Sequence, residues 1–352
     1  TGIVPTNILV TEGCRGDGGT LLDVNEERFM DKYEPEKAEL ASRDVVSRWM
    51  THHIRKGLGV KSPYGDHLWL DIRHLGAQHI KTKLREVEEI CNNFLGVDPI
   101  TQLIPVRPAQ HYTMAGVRTN KDGAVYGLKG LFSAGEAACW DMHGFNRLGG
   151  NSLAETIVAG KIVGGKVAEF LKGYEVSFDT ATTRDAVSKD RERIDALIQC
   201  KNGKENVFSV RNDMQDELMD RVGIFRNGKD LQTAVDNLQG IYARAQQVGL
   251  RSNGIGVNPE LSLALKIEGM VRLSLCAAYA ALQRTESRGC HAREDYEARN
   301  DRDWLKRTLA TWDEGANLPT LNYEPVSPTF ELAPGERGYG TCKIISCTEL
   351  GD

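Results

Sequence analysis

A glycine-rich turn that leads directly into a helical stretch constrains this chain more than any other feature. Gly149, Gly150, Asn151 and Ser152 stand immediately before Leu153–Lys172, whose residues predict a helix. A turn of this kind exposes backbone N–H groups and the positive end of the helix dipole, which suits an anionic group. A plain loop-to-helix cap would have the same sequence, so the turn alone leaves both interpretations open.

Glycine is abundant throughout, with 36 residues in 352, against a usual share of about 7%. This excess is typical of a chain whose backbone approaches a cofactor closely. No G-x-G-x-x-G follows a predicted strand and no phosphate-binding P-loop motif is present, so a dinucleotide site built by this chain would be incomplete.

Composition and charge exclude several classes of protein. The formal charge of −5, with no basic stripe, argues against a nucleic-acid partner. The most apolar stretch, Leu261–Leu282, is interrupted by Lys266, Glu268 and Arg272, so we expect no transmembrane helix. The chain starts at Thr1 without a methionine or a basic leader, and we expect Thr1 not to be the natural start.

The cysteines and paired histidines give no clear metal site. The eight cysteines contain no CxxC and are expected to be reduced thiols. Cys342 and Cys347 could bind a metal or could lie in a tail, whereas Cys139 and His143 have no second pair to support them. We therefore expect no metal. The His52–His53 pair comes late in a predicted helix and is expected to act as a cation at its end.

The first third of the chain alternates helices and strands. Ser42 is a predicted N-cap for a helix that ends at Gly57. The alternation in His67–Arg73 predicts a half-buried strand, with His67, Asp71 and Arg73 on the exposed face. Leu84–Phe94 predicts a further helix.

The rest of the chain changes from extended to helical. His111–Thr119 predicts a strand, Asn120–Gly123 a hairpin turn and Val125–Ala134 a second extended run. Residues 180–290 predict a helical bundle, in which the apolar stripe from Leu231 to Val248 and the Asn258-Pro259 helix start are the clearest signals. Beyond residue 315 we expect irregular chain or an edge strand.

Six polar residues are suited to binding a dicarboxylate, because arginine forks match carboxylates with two hydrogen bonds. They are Thr11, Glu12, Arg15, Arg43, His111 and Arg147. Each residue taken alone is more often a surface ion pair or a satisfied polar group of the core, and composition alone does not show that the six meet.

Several stretches, in order along nearly the whole chain, resemble the flavoprotein subunits of succinate dehydrogenase and fumarate reductase. They are Thr11–Gly19, Ser42–Asp44, His111–Met114, Phe132–Glu136, His143–Glu155, Arg284–His291 and Asp301–Trp304. The Cys139–His143 run, with its tryptophan, most resembles bacterial quinol:fumarate reductases.

The resemblance implies an α/β flavoprotein made of a capping domain, the end of an FAD-binding domain and a helical bundle. The expected boundaries are 1–105 for an incomplete capping domain, 106–172 for the C-terminal part of the FAD-binding domain, 180–290 for the bundle and 291–352 for a small C-terminal region. A hinge near Pro105–Pro108 would then let the cap close over the substrate.

The resemblance also implies roles for individual residues. Arg43 corresponds to a proton-donating arginine, with Glu12 and Arg15 as the relay that supplies it. Substrate binding is expected from Thr11, Glu12, His111, Arg147 and Gly150. Cofactor binding is expected from Gly135, Glu136, Arg147, Asn151, Ser152 and Leu153.

The implied cofactor is FAD, and the implied reaction is hydride transfer from reduced FAD to fumarate with protonation to succinate. The family's dinucleotide fingerprint and flavin-linking histidine precede the part that this chain resembles. Most of the FAD site is therefore expected outside this chain, and whether the flavin is covalently bound stays open.

The implied partners are an iron–sulfur subunit and a cytochrome b membrane anchor that receives electrons from quinol. The implied location is peripheral, on the cytoplasmic face of a bacterial inner membrane. Three alternatives remain at this point: succinate dehydrogenase, which runs the reaction in reverse; L-aspartate oxidase; and a non-catalytic fragment that docks other subunits.

Overall fold

The computed structural model describes residues 1–174, 179–200, 203–252, 254 and 256–326. The chain divides into two compact units, one comprising residues 1–170 and the other beginning at Leu171. The architecture is mixed α/β, as expected. Cys342 and Cys347 lie outside the described residues.

The first unit is built on a small antiparallel sheet in the order β1-β4-β3-β2. Its strands are β1 (Gly2–Ile3), β2 (Thr20–Leu22), β3 (Leu68–Asp71) and β4 (Ile104–Arg107). Five helices accompany the sheet: α1 (Gly13–Gly16), α2 (Met30–Tyr33), α3 (Arg43–His53), α4 (Ala77–Lys83) and α5 (Arg85–Leu95). The buried core of this part draws its residues from 3 to 106, among them Phe29, Leu70 and Ile104.

The predicted helices of this region are present. Ser42 occupies the N-cap position of α3, and a π-helical turn, Ile54–Leu58, follows the helix. The left-handed Gly57 (φ 81°) lies inside this turn, where the sequence predicts the helix to end. The helix predicted at Leu84–Phe94 is α5 at Arg85–Leu95.

Two predictions for histidines are wrong. His67 is buried, not exposed, because its ring packs edge-on against Trp69 and its backbone bridges to Val60. His53 is not a cation at a helix end. Its ring is buried and stacked on Phe29 at 4.2 Å, and burial lowers its pKa despite the neighbouring Asp23.

The strand predicted at His111–Thr119 is largely absent. Only β5 (Val117–Arg118) forms, and it pairs in parallel with an equally short β6 (Ala138–Cys139). Upstream of it the backbone bonds to side chains and not to a strand: the Tyr112 carbonyl accepts from Gln110, and Thr113 N–H donates to Glu136. The Asn120–Gly123 turn is confirmed, with the Asn120 side chain accepting from backbone N–H groups inside it.

The long helix α6 (Asn151–Lys172) follows the glycine-rich turn, as the sequence predicts. Its buried residues, Glu155, Ala159 and Val163, recur every four positions and so share one face.

The second unit is a helical bundle with its own core, formed mainly by the packing of α8, α9 and α10. The helices are α7 (Thr180–Gln199), α8 (Val207–Arg221), α9 (Gly228–Ala245) and α10 (Pro259–Gln283). Asn258 caps α10 by accepting from Leu261 N–H, with Pro259 in the first turn, which confirms the predicted helix start.

Short strands complete the second unit. β7 (Phe225–Arg226) pairs in parallel with β8 (Ala292–Arg293). A short helix, α11 (Asp301–Trp304), precedes the antiparallel hairpin of β9 (Lys306–Thr311) and β10 (Thr320–Pro325). None of the helices in the described ranges is long and apolar enough to cross a bilayer.

Candidate functional site

An arginine–carboxylate pair joins two helix starts in the first unit. Glu12 immediately precedes α1 and Arg43 is the first residue of α3. The guanidinium donates through Nε to Glu12 Oε2 at 2.6 Å and through Nη2 to Oε1 at 2.8 Å. Both side chains stay about one-third exposed, at 30% and 38%. The predicted proton donor and the first member of its predicted relay are therefore in direct contact.

The glycine-rich turn lies against the same carboxylate. A Cβ added at Gly149 would fall 2.2 Å from Glu12 Oε1, so only glycine fits there without displacing Glu12. Gly150 has a φ of 77° and open space where a side chain would be. The turn and Glu12, far apart in the sequence, therefore meet.

Arg147 lies next to this turn, and one of its side-chain donors has no partner in the described chain. Its side chain is 4% exposed, and the guanidinium lies 4.5 Å from the centre of the Tyr112 ring. Nη1 donates to the Leu148 carbonyl at 3.2 Å. Nε is buried without a partner in the described chain, which leaves a donor that an anion would satisfy.

The charges of the arginines act on the same groups. The Arg43 hydrogen bond, aided by the charges of Arg15 and Arg147, lowers the pKa of Glu12 despite partial burial. Partial desolvation, with Arg43 and Arg147 nearby, lowers the pKa of His111. The charges of guanidinium groups from distant parts of the sequence therefore act on the same side chains, which suits the binding of a dianion.

Arg15, the second member of the predicted relay, is partly buried. Burial lowers its pKa, opposed by the charge of Glu12. One of its guanidinium nitrogens donates to the backbone carbonyl of Glu39. Thr11 is exposed beside Glu12, and its hydroxyl accepts from Gly13 N–H at 3.2 Å.

The residues predicted to bind the cofactor lie around the start of α6. Asn151, Ser152 and Leu153 form its first turn, and the Leu153 side chain is 73% exposed. Gly135 is buried with a φ of 66°, and a Cβ there would lie 3.5 Å from the Thr156 hydroxyl of the same helix. Glu136 is exposed and accepts from Thr113 N–H.

This surface fits a flavin nucleotide in two respects. The open N-terminus of α6, with bare Gly150 before it, offers N–H groups to an anion or to an electron-rich ring. The Arg147 guanidinium, which donates to the Leu148 carbonyl beside the turn, adds positive charge.

Sequence reasoning missed a buried carboxylate. Glu155 accepts from Tyr112 Oη, Trp140 Nε1 and His143 Nε2, at 2.8, 2.6 and 2.8 Å. The sequence signal that could have indicated the burial of Glu155 is its position four residues before Ala159, on the buried face of α6.

A second missed contact links the neighbours of the two key arginines. Asn146 donates to Asp44 at 2.7 Å, and Arg48 donates to the same carboxylate. No signal in the sequence pairs residues that lie this far apart.

No group of side chains able to hold a metal ion occurs among the described residues. Cys139 lies in β6, and His143 bonds to Glu155. Cys290–His291 belongs to a structural network, because His291 is buried and bonded to Arg226.

Comparison with protein families places both units in one group of redox proteins. Residues 1–153 match the model of an FAD-binding domain. Residues 211–339 match the model of the C-terminal part of the fumarate reductase flavoprotein.

Individual relatives agree with these matches. The fumarate reductase flavoprotein subunit of Helicobacter pylori is 45% identical over 369 residues, covering 97% of this chain and 51% of the relative. The succinate dehydrogenase flavoprotein subunit of Rickettsia bellii is 38% identical, covering 94% of this chain and 56% of the relative.

Among solved structures, the FrdA chain of an E. coli quinol fumarate reductase mutant superposes with a TM-score of 0.88 at 34% identity. The match covers 97% of this chain and 60% of that chain.

These matches define the class of the chain as part of a flavoprotein subunit. The chain belongs to the family of fumarate reductase and succinate dehydrogenase flavoprotein subunits, which confirms the predicted resemblance. It spans between about half and three-fifths of the length of the relatives named here.

Proposed function

We propose that this chain forms the dicarboxylate-binding part of a flavoprotein subunit that reduces fumarate to succinate. The observation that carries the proposal is the meeting of Glu12, Arg43 and Gly149, with the charge of Arg147 acting on the same carboxylate. Cationic groups around a small polar region are what a substrate with two carboxylates requires.

Substrate binding falls to Glu12 and to residues near the Glu12–Arg43 pair. Arg147 and His111 hold one carboxylate, and the buried unpartnered Nε of Arg147 supports this role. Thr11, Glu12 and Gly150 lie at the other carboxylate. Holding both ends orients the double bond and stabilises charge that develops on the substrate during reduction.

FAD, when bound, supplies a hydride to one alkene carbon. In this chain Gly135, Glu136, Asn151, Ser152 and Leu153 would contact it, together with Arg147. The dipole of α6 favours negative charge at its N-terminus, and so favours the electron-rich form of the cofactor.

The proton for the other carbon comes from Arg43. A guanidinium is ordinarily never deprotonated, so only a strongly basic carbon centre can take its proton. Glu12, whose pKa is lowered by Arg43, is ionised and lies within hydrogen-bonding distance to receive and return protons. Arg15, next in the relay, replenishes Glu12.

The electron route is part of the same proposal. Electrons reach the flavin from quinol through an iron–sulfur subunit and a cytochrome b anchor, with the flavoprotein peripheral on the cytoplasmic face of a bacterial inner membrane. The quinol fumarate reductase structures to which the chain is similar support quinol as the source of these electrons. The proposal also includes a capping domain (1–105) and the C-terminal part of an FAD-binding domain (106–172).

The reverse reaction is a second candidate, because relatives named succinate dehydrogenase flavoprotein subunits match nearly the whole chain. The same residues would then hold succinate, and the direction would depend on the redox partners. Comparing fumarate reduction, driven by a reduced dye, with succinate oxidation by an oxidised dye would decide between them.

The test of the binding site uses the flavin-loaded subunit that contains this chain, together with malonate, a dicarboxylate that cannot react. Arg147→Ala should weaken malonate binding by about 10- to 100-fold, the value of a hydrogen bond to a charged group. Arg244→Ala is the matched control, since Arg244 pairs with Glu205 and Asp213 in the second unit. Unchanged affinity in Arg147→Ala would contradict the proposal.

A further inference from the structure

We propose that Glu155 is a positioning residue for the dicarboxylate site, acting on Arg147 through Tyr112. The inference rests on the proposed function, because it takes Arg147 to be a substrate-binding residue. Glu155 itself does not touch the substrate. It starts from a buried carboxylate that the proposed reaction leaves unused.

Glu155 gathers donors from three segments of the chain. It is 3% exposed, and its oxygens accept from the Tyr112 hydroxyl, the Trp140 indole and the His143 ring. Tyr112 and His143 also contact each other edge-to-face at 5.8 Å. Buried polar networks of this kind fix side chains in one arrangement when every member is satisfied.

The network needs a carboxylate and not an amide. Burial alone would favour the neutral acid, but the hydrogen bonds from Trp140, Tyr112 and His143 outweigh it and lower the pKa of Glu155. Burial and the same carboxylate raise the pKa of Tyr112 to about 12, so the phenol keeps its proton and donates it to the bond. An ionised carboxylate accepts at both oxygens, whereas a glutamine offers one accepting oxygen.

Tyr112 transmits this order to the substrate-binding arginine. The Arg147 guanidinium lies 4.5 Å from the centre of the Tyr112 ring, a cation–π contact within a buried setting. The Tyr112 ring cannot tilt freely, because Glu155 holds its hydroxyl. Glu155 thereby fixes the orientation of the ring that Arg147 contacts. Nε of Arg147 is thereby kept in place as an unpartnered donor for the substrate.

The experiment measures malonate affinity of the flavin-loaded subunit that contains this chain, first in two single variants and their double variant. Glu155→Gln should weaken malonate binding by about 10-fold. Arg147 would no longer be held in place, and one hydrogen bond to a charged group of malonate would be lost. Tyr112→Phe, which keeps the ring under Arg147 but removes the hydroxyl, should weaken malonate binding similarly. The double variant Glu155→Gln/Tyr112→Phe should bind malonate no more weakly than either single variant, because both substitutions break the same Tyr112–Glu155 hydrogen bond.

The decisive comparison is Glu155→Gln in an Arg147→Ala background, where it should have no further effect on malonate affinity. An equal loss with and without Arg147 would overturn the proposal, as would unchanged affinity in Glu155→Gln. Glu169→Gln, on the same helix and paired with exposed Lys166, is the control and should bind normally.

Two further readouts separate the possible failures. In the proposed reaction, Glu155→Gln should raise KM for fumarate more than it lowers kcat, since it disturbs binding and not proton delivery. If Glu155→Gln fails to fold, Tyr112→Phe with and without Arg147→Ala decides the question. Wild-type protein that does not bind malonate would instead contradict the proposed function itself.

Discussion

Arg43 is paired along one full edge of its guanidinium, and a lysine cannot reproduce that geometry. Nε and Nη2 both donate to Glu12, which only a planar fork can do at once. The shape of this contact, more than its charge, is therefore what the proposed proton transfer depends on.

Replacing Arg43 by lysine should leave malonate affinity within a few-fold of wild type while turnover falls about 10²- to 10⁴-fold, the contribution of a positioned general acid. Lysine keeps the positive charge, but it does not reproduce the reach of the arginine side chain or its paired hydrogen bonds to Glu12. Stopped-flow reoxidation of the reduced flavin by fumarate would measure the rate, and malonate titration the binding. Equal losses of affinity and rate would make Arg43 a binding group only.

Residue-level prediction from the sequence came from motifs that carry several of the proposed functional residues together. Glu12, Arg43 and Arg147 were each named from such stretches, and their meeting could not be deduced from spacing. Glu155 lay inside one of those stretches and was overlooked, because its partners Tyr112 and Trp140 come from loops whose path the sequence does not reveal.

Helices were more predictable than strands in this chain. α5 and α6 were predicted from periodicity and glycine placement, since helical bonds are local and their signals lie within the element. The strands of the first sheet are two to four residues long and pair across the whole unit, with Gly2 opposite Arg107. Only β3 was predicted, from the alternation in His67–Arg73, because the other strands of the sheet are too short to show an alternating pattern.

Helix α3, which presents Arg43, is anchored at its other end by a buried histidine. His53 stacks on Phe29, contacts the Tyr33 hydroxyl at 2.9 Å and lies 3.4 Å from Asp23. Burial, with Lys56 and Lys32 nearby, lowers its pKa below the ordinary 6.5. The unfolded chain therefore takes up this proton at a higher pH than the folded protein does.

This difference predicts a pH dependence of stability. Where the unfolded state binds more protons, stability falls as pH falls, so the contribution of His53 should decline from about pH 6.5 down to its lower folded pKa. His53→Gln should be less stable than wild type at pH 7.5, yet should lose less stability between pH 6.5 and 5. Urea unfolding followed at several pH values would measure this, and parallel curves for the two proteins would contradict it.

At the scale of the whole molecule, the described chain contains two separate hydrophobic cores. One gathers residues between 3 and 106, and the other gathers residues between 207 and 281. The proposed substrate-binding residues all belong to the first unit, whereas the second supplies a helical bundle with a buried ionic network around Glu286.

This separation predicts that the two units can be destabilised independently. Leu238→Ala, at a fully buried position of α9, should cost about 2–5 kcal/mol of local stability and speed hydrogen exchange in α9 and α10. Malonate affinity should stay within twofold of wild type. Leu70→Ala, equally buried in β3, is the matched variant and should speed exchange in the first unit and weaken malonate binding. If each substitution accelerated exchange in both units alike, the cores would unfold as one cooperative body, and the bundle would then contribute to the stability of the dicarboxylate site directly.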